Sequence, residues 1–474
     1  MKRLFGFLVG GKLTFVALLC LQLPLHATSF ARNSRPNIVF VMADDLGYGD
    51  LGCYGQTRLR TPNIDALAKR GVWFTQAYAG GPVCTPSRSV LMTGLHGGHT
   101  PARDNVPHYH SYLRADDLTL AEVLKSAGYR TGGIGKWSLG DPGTEGDATA
   151  QGFDVWFGYQ NQDHAHYYYP EYLDDSTSPD DRAAFPGNST TRKVYSHDAM
   201  TERALAFIAE LSEQPFFLYV AYTVPHFSDS SEDEDRLTVP NLGPYANEDW
   251  SSAAKKYGSM VHRLDRDVGR IVDRIESLGL TDKTLIIFTS DQGPLGTELL
   301  KELDNNGPLR GSKRTLFEGG IRVPFIACWE SVLPKNSESD EVITFWDMLP
   351  TLAEVAGVEV PLGLDGISVW NAFLGRPLKK QHDYLYWDYG HTRGRYDQAV
   401  RVANWKGIRH GIRSQVQLYN LAVDLGEEND LSAKHPDVVR QIEAIMETAV
   451  IPSARYEVGN IYRGKPIWQR EDHW

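Results

Sequence analysis

Cysteine is scarce in this sequence: Cys20, Cys53, Cys84 and Cys328 are the only four among 474 residues. They show no short-range pairing pattern, and removal of a leader leaves three, an odd number. A disulfide scaffold is excluded. The fold must instead rest on a hydrophobic core, which this length and a 42% hydrophobic content can build. Basic charge is also in deficit. Lys and Arg number 48 against 60 Asp and Glu, for a formal net charge of −12. That excludes nucleic acid as a natural partner. An anionic substrate would need a local positive pocket to hold it against the field of the whole molecule. Long apolar runs are missing too, apart from "LTFVALLCLQLPLHA" (13–27) behind Met1-Lys2-Arg3. That run is broken by Gln22 and Pro24, is too short to span a bilayer comfortably, and leads to the small residues Ala27, Ser29 and Ala31. It reads as a secretory signal peptide over residues 1–31, so the mature chain is expected in the periplasm or outside the cell, with no membrane span after cleavage. Leu18 and Leu19 stand before Cys20 where a lipoprotein signal wants small residues, so lipid attachment there is set aside.

What is present is an alternation of short apolar runs and amphipathic stretches. "NIVFVMADD" (37–45), "PFFLYVAYTVPH" (215–226) and "KTLIIFTSDQG" (283–293) are apolar on both faces. "TPNIDALAKRG" (61–71), "LTLAEVLKSAGY" (118–129) and "VHRLDRDVGRIVDRIESLG" (261–279) carry helical periodicity. The pattern predicts an α/β fold with a large, mostly parallel sheet flanked by helices on both sides. After Arg376 the texture changes. "AVRVANWKGIRHG" (399–411) alternates polar and apolar, as an antiparallel strand with one wet face does, and "HPDVVRQIEAIMETA" (435–449) closes the chain as a helix. The expected organisation is a catalytic domain over 35–375 and a smaller C-terminal α+β subdomain over 376–474, built on a short antiparallel sheet.

Open parallel sheets gather their chemistry at the carboxyl ends of strands. Two expected strands end in oxygen ligands there: Asp44 and Asp45 on one, Asp291 and Gln292 on the other. Three carboxylates and an amide, with no His or Cys pair, describe a hard-cation site suited to calcium or magnesium rather than zinc. Arg88, Lys136, His226 and Lys313 each fall just beyond an apolar run or in a glycine-bearing turn. Singly, each reads as a solvated charge. Together with a divalent cation they form the setting that transfer of an anionic group requires, because charge on its non-reacting oxygens must be neutralised.

Cys84 lies in "GGPVCTPSRSVLMTG" (80–94), expected as a Gly/Pro-rich loop. "CTPSR" resembles the Cys-x-Pro-Ser-Arg signature of type I sulfatases, members of the alkaline-phosphatase-like superfamily. Six further segments resemble that family's in the expected order: "PNIVFVMADDLGYGDLGCYG", "TPNIDALAKRGVWFTQAYA", "GKWSLG", "SDQGP", "KRTLFEGGIRVP" and "LYNLAVDLGEENDL". The resemblance implies that Cys84 is oxidised by a formylglycine-generating maturation enzyme to Cα-formylglycine. The hydrated aldehyde would then be the nucleophile. Asp44, Asp45, Asp291 and Gln292 would hold Ca2+ (or Mg2+), with residue 84 completing the shell. Arg88 would steady residue 84, Lys136 and Lys313 would grip the sulfate, and His226 would protonate the leaving alcohol. Two departures stand out. Ser138 occupies the place where many members carry a histidine with the base role in elimination. Gln292 stands where asparagine is commoner.

The resemblance extends to bacterial carbohydrate sulfatases and arylsulfatases of the N-acetylgalactosamine-6-sulfatase type, and so implies a sulfated saccharide substrate of galactose type. "NQDHAHYYYPEY" (161–172) offers Asp163, His164 and His166 to sugar hydroxyls and ring faces. His99, Arg103, Trp387, His391 and Arg393 are further substrate candidates. Two rival readings remain open: a phosphodiesterase or phosphonate hydrolase of the same superfamily, and a sulfated-glycan-binding protein with impaired catalysis, for which Ser138 speaks.

Overall fold

Side-chain alternation along the strand Asn37–Asp44 divides the apolar residues between two cores. Ile38, Phe40 and Met42 enter one hydrophobic cluster, and Val39, Val41 and Ala43 enter the other. The strand is therefore buried on both faces, as its unbroken apolar run requires. The structure is a computed structural model that describes residues 35–105, 112–210, 214–228, 236–295 and 298–459. The leader expected at 1–31 and most of the acidic run after Ser228 lie outside the described residues.

In chain order the strands are β1 (Asn37–Asp44), β2 (Val72–Phe74), β3 (Ala77–Tyr78), β4 (Arg130–Lys136), β5 (Val155–Tyr159), β6 (Tyr172–Asp175), β7 (Arg182–Ala184) and β8 (Phe216–Pro225). They continue as β9 (Thr284–Ser290), β10 (Phe325–Cys328), β11 (Ser337–Ser339), β12 (Ile343–Thr344), β13 (Leu385–Tyr389), β14 (Asp397–Val402), β15 (Trp405–His410) and β16 (Val416–Asn420). Ten of them form one sheet in the order β11-β2-β10-β9-β1-β8-β4-β5-β6-β7. The centre, β9-β1-β8-β4-β5, is parallel throughout; β10 and the strands β6 and β7 at the far edge run antiparallel. This is the large, mostly parallel sheet expected. β13 to β16 form the separate antiparallel sheet expected toward the C terminus. Leu385, Trp387, Ala399, Ile408 and Tyr419 of that small sheet belong to the same hydrophobic cluster as one face of β1. The two sheets thus share a core.

Local chemistry explains most boundaries. Thr119 caps the helix Leu120–Ser126 with its hydroxyl on the amide of Glu122, and Glu122 answers on the amide of Thr119. The helix Ser252–Ser277 begins well before the periodicity that predicted it, because Ser251 caps it by accepting from Ala254. The single strand expected at 399–411 is a hairpin. Ala403, at φ 50°, turns the chain between β14 and β15. A hairpin turn without glycine left no signal in the sequence.

β4 carries Lys136 to the carboxyl end of the sheet, and the residue before it is under tight constraint. Gly135 has φ +114°, and a Cβ there would stand 1.9 Å from the carbonyl oxygen of Ala221 on the neighbouring β8. Backbone cannot yield to that contact. Gly135→Ala is therefore expected to lower the thermal midpoint by more than about 5 °C or to prevent soluble expression, from a clash added to ~1–3 kcal/mol of backbone strain. Gly143→Ala, also at positive φ but with nothing within 4 Å, should cost only the strain. Thermal melts of the two variants check this, and equal losses would refute it.

Candidate active site

Cys84 is not in a loop. It is the first residue of the helix Cys84–Thr93, all ten residues of which are buried. Pro86 is tolerated because it falls in the first turn, where no intrahelical partner is lost. The helix N terminus, with its positive end, therefore stands at residue 84. Ser87 ties that turn down: its hydroxyl donates to the carbonyl of Asp291 and accepts from the amide of Gly80.

The oxygen ligands named from the strand ends converge on this thiol. Cys84 Sγ lies 3.5 Å from Asp44 Oδ1 and 3.8 Å from Gln292 Nε2. Asp45 is joined to Asp291 through its own amide, which donates to Asp291 Oδ1 at 3.2 Å. The Gln292 amide also donates to Asp45 Oδ1. Ligand atoms of Asp44, Asp45, Cys84 and His226 all lie within 4.8 Å of one another. The cations interleave with them. Lys136 Nζ is 2.7 Å from Asp44 Oδ2, and Lys313 Nζ is 2.6 Å from Asp45 Oδ1 and 3.5 Å from Cys84 Sγ. Arg88 donates from Nε and Nη2 to Asp291 Oδ2, at 3.1 and 2.7 Å, and from Nη1 to the carbonyl of Lys136. Asp45 sits at φ 66°, a left-handed turn immediately after β1 that puts two consecutive carboxylates to use.

Burial governs the protonation of these groups. It pushes Asp291 up to about 7, aided by the charge of Asp44 and opposed by Arg88. It also raises Asp45, against Lys313. On Asp44 burial acts upward as well, but Lys136, His226, Arg88 and Lys313 hold it well below the usual carboxylate range. The Cys84 thiol is pushed up by burial and by Asp44. A thiol so disfavoured as thiolate is a poor nucleophile in its own right.

The residues fit a hard cation. Three carboxylates and an amide supply oxygen, and Gln292 Oε1 is buried with no hydrogen-bond partner in this structure. An orphaned amide oxygen beside three carboxylates is what a Ca2+-class ion would satisfy. The longer reach of Gln292 has not taken it out of the cluster.

His226 Nδ1 is 2.6 Å from the carbonyl oxygen of Phe227, so that nitrogen carries the proton. Nε2 is left to face Asp45 Oδ2 at 3.5 Å. The His166 ring stacks on His226 at 4.4 Å. His166 Nε2 meets Gln162 Nε2 at 3.3 Å, and the Thr85 hydroxyl reaches Gln162 Oε1 at 3.4 Å. The histidine-rich loop therefore abuts the residue-84 helix. Asp163 is buried in the same loop, with its amide held by Asn161. His164 is wedged between Tyr159 and Tyr172, and burial pushes it down to about 4. Ser138, at φ 66°, is buried with its hydroxyl unpartnered.

The other substrate candidates divide. Arg393 reaches Asp104 with Nε and Nη2 at 3.1 and 3.0 Å and covers the Tyr389 ring, which also senses Lys313. Asn105, next to Asp104, accepts from the amide of Thr85. This group borders the site. Trp387 does not offer a ring to a sugar. It is fully buried, donates to the carbonyl of Ala79 at 2.9 Å and packs on Tyr78 and Trp346. His99 is engaged by Asp365 at 2.9 Å and stacked on His96. Arg103 donates to the carbonyls of Thr100 and Ile451, and His391 bonds Tyr456 and Asp388. Arg103 and His391 line a separate cavity beside Tyr396, Arg409 and Met446. Sequence reasoning missed Asn105, Gln162 and Asp104; each lies within one to three residues of a residue it did name.

Residues 36–358 match the Sulfatase family model, and residues 311–451 match the model of the N-sulphoglucosamine sulphohydrolase C-terminal region. The chain is 28% identical to an N-acetylgalactosamine-6-O-sulfatase of Bacteroides thetaiotaomicron, over 88% of this chain and 93% of that protein. It is 34% identical to human arylsulfatase A, over 80% and 76%. The crystal structure of Ps i-CgsB in complex with k-i-k-neocarrahexaose superposes with a TM-score of 0.76 at 29% identity, covering 90% of this chain and 95% of that one.

Proposed function

This chain belongs to the sulfatase family and is a sulfuric ester hydrolase, and from that premise we propose that it removes sulfate from a galactose-type sugar of a sulfated saccharide. One observation carries the reading: Asp44, Asp45, Gln292 and Lys313 meet on Cys84, with Arg88, Lys136 and Asp291 directly behind them. An N-acetylgalactosamine-6-O-sulfatase among the relatives, and a neocarrahexaose complex among the solved structures, support a galactose-type sugar.

Cys84 is the substrate of a maturation enzyme that oxidises it to Cα-formylglycine, so Sγ in this structure stands in for the oxygens of the hydrated aldehyde. Asp44, Asp45, Asp291 and Gln292 would hold Ca2+, which when bound would lower the pKa of an oxygen ligand and offset charge on sulfate oxygens. Lys136 and Lys313 bind the sulfate oxygens. Arg88, locked between Asp291 and the Lys136 carbonyl, fixes the orientation of Asp291 and of the residue-84 turn. One hydroxyl of residue 84, ionised with its proton given up to water, attacks sulfur, and the S–O bond to the sugar breaks. The departing alcohol takes its proton from Lys313, because His226 carries its own on Nδ1, burial disfavours a second, and Nε2 is bare. The second hydroxyl of residue 84 then gives up its proton, its C=O re-forms and sulfate leaves; water restores the diol. His226 Nε2, free of the carbonyl that holds Nδ1, takes that second proton. Ser138 therefore needs no basic role. Residues 35–375 supply this machinery, while 376–474 contribute Arg393 to the rim. His166, Asp163 and the Arg393–Asp104 pair contact the sugar. The leader-like stretch at 1–31 supports an exported enzyme.

Protein shown by mass spectrometry to carry the aldehyde at residue 84, screened against defined sulfated mono- and oligosaccharides, is expected to release sulfate from galactose-type units. Aryl phosphate diesters and phosphonates should turn over far more slowly. Preference for a phosphorus substrate, or saccharide binding with no sulfate release, would overturn the reading. His166→Ala is expected to raise KM for the saccharide about tenfold while sparing nitrophenyl sulfate.

A further inference from the structure

Three sequence segments have no part in the chemistry above: the glutamate of "LFEGG", the lysine of "NWKG" and the first glutamate of "LGEEND". Folding brings them to one point. Glu318, Lys406 and Glu427 are all fully buried. Lys406 Nζ, on β15, lies 2.8 Å from Glu318 Oε1 and 2.9 Å from Glu427 Oε1. Glu427 Oε2 accepts the amide of Glu318 at 2.6 Å, and its carbonyl accepts from the Arg310 guanidinium. Tyr78 and Arg322 complete Glu318, at 2.6 and 3.2 Å.

The segment between those two tethers, Arg310 to Glu318, is the one that carries Lys313. Its interior leans on the active site at both sides. The Lys313 amide donates to the carbonyl of Pro294, two residues after Gln292, at 2.8 Å, and the Arg314 amide donates to the carbonyl of Pro82, two residues before Cys84, at 2.9 Å. Just past the segment, the Gly319 amide closes onto the carbonyl of Arg310 at 2.7 Å. Glu427 thus grips the Lys313 segment at its start, through Arg310, and at its end, through Glu318.

A buried lysine between two carboxylates is a costly way to gain stability, because desolvation offsets most of the attraction and apolar packing serves as well. What such a cluster provides is a fixed geometry. We infer that Glu427, braced by Lys406, is a positioning residue that holds Lys313 over residue 84 from the C-terminal subdomain. This rests on the role of Lys313 proposed above.

The test is a double-mutant cycle in the full-length, aldehyde-bearing enzyme. Glu427→Gln keeps the shape and an acceptor while removing the charge. It is expected to lower kcat on a sulfated saccharide about tenfold with KM within twofold, since a small misplacement of a reacting group is felt in the transition state. In a Lys313→Ala background the same change should cost nothing further. Loss of the same factor in both backgrounds marks a merely structural role and overturns the inference, as does no loss in the parent. Should Lys313→Ala alone leave the rate intact, the proposed role of Lys313 fails and the positioning role falls with it, an outcome visible before Glu427 is touched. If Glu427→Gln does not fold, Arg310→Ala is read in the same cycle; it frees the segment from the Glu427 carbonyl without baring a buried charge.

Discussion

Cys84→Ala removes turnover, by about 10⁵-fold or more, the scale on which losing a nucleophile acts, while the protein remains folded. The argument is positional. Cys84 Sγ lies within 4 Å of Asp44, Gln292 and Lys313 together. Its removal deletes one atom from a site whose other groups keep their partners: Asp44 retains Lys136, Asp45 retains Lys313, and Asp291 retains Arg88. The other two described cysteines give the contrast. Cys53 is half-buried under Asp65, and Cys328 lies in β10 with Sγ 3.5 Å from the carbonyl of Arg70; neither is in a disulfide. Cys53→Ala and Cys328→Ala should keep turnover within about twofold and cost at most ~1–2 kcal/mol of stability. Sulfate release from an aryl sulfate, measured for all three variants beside their thermal melts, checks the pattern. Comparable losses at all three would contradict it.

The part of this site legible in the sequence was the part set by strand ends. An apolar run that stops in Asp-Asp or Asp-Gln places carboxylates at the rim of a parallel sheet whichever helices cover it. The neighbours of β1 on its two sides, β8 and β9, are followed directly by His226 and Asp291 respectively, so three site elements follow from strand order alone. Other contributions were hidden because they depend on where chains cross. Asn105 and Gln162 hold Thr85 only because two loops distant in sequence fold over the same helix end. Trp387 looked like a sugar platform. Aromatics at period two in "YLYWDY" belong to a strand buried on both faces, and the face turned to the main core took the indole. The Glu318–Lys406–Glu427 cluster was illegible for the same reason. Nothing in its own segment singles out any of the three, and only the packing of the small sheet against the Lys313 segment makes them partners.

Stripping the cation is expected to lower turnover by at least about 10³-fold, restored by Ca2+, because charge stabilisation at the reacting centre is the largest single contribution such sites make. The charge count within the site says why an ion is wanted. Asp44, Asp45 and Asp291 oppose Arg88, Lys136 and Lys313, three against three, all but fully buried. Left so, Lys313 is spent on Asp45 and Lys136 on Asp44, and the pocket has no net attraction for an anion. A divalent ion on the carboxylates would turn the pocket positive by two charges and would free both lysine ammonium groups for the substrate. A sulfate monoester and an oxyanion at residue 84 would then bring the count back to zero. Binding and reaction thus draw on the same imbalance, which a whole-molecule charge of −12 cannot provide. Ca2+ at a hundred times its Kd should stabilise the fold by about 2.7 kcal/mol, seen as a rise in the thermal midpoint. Asp45→Asn, which keeps the shape and removes one of the three charges, should weaken that rise and the rate together by at least the ~10–100-fold in affinity that even outer partners of a metal contribute. A chelated enzyme that retains full activity, or a thermal midpoint indifferent to Ca2+ in the parent protein, would show that the carboxylates serve the lysines alone.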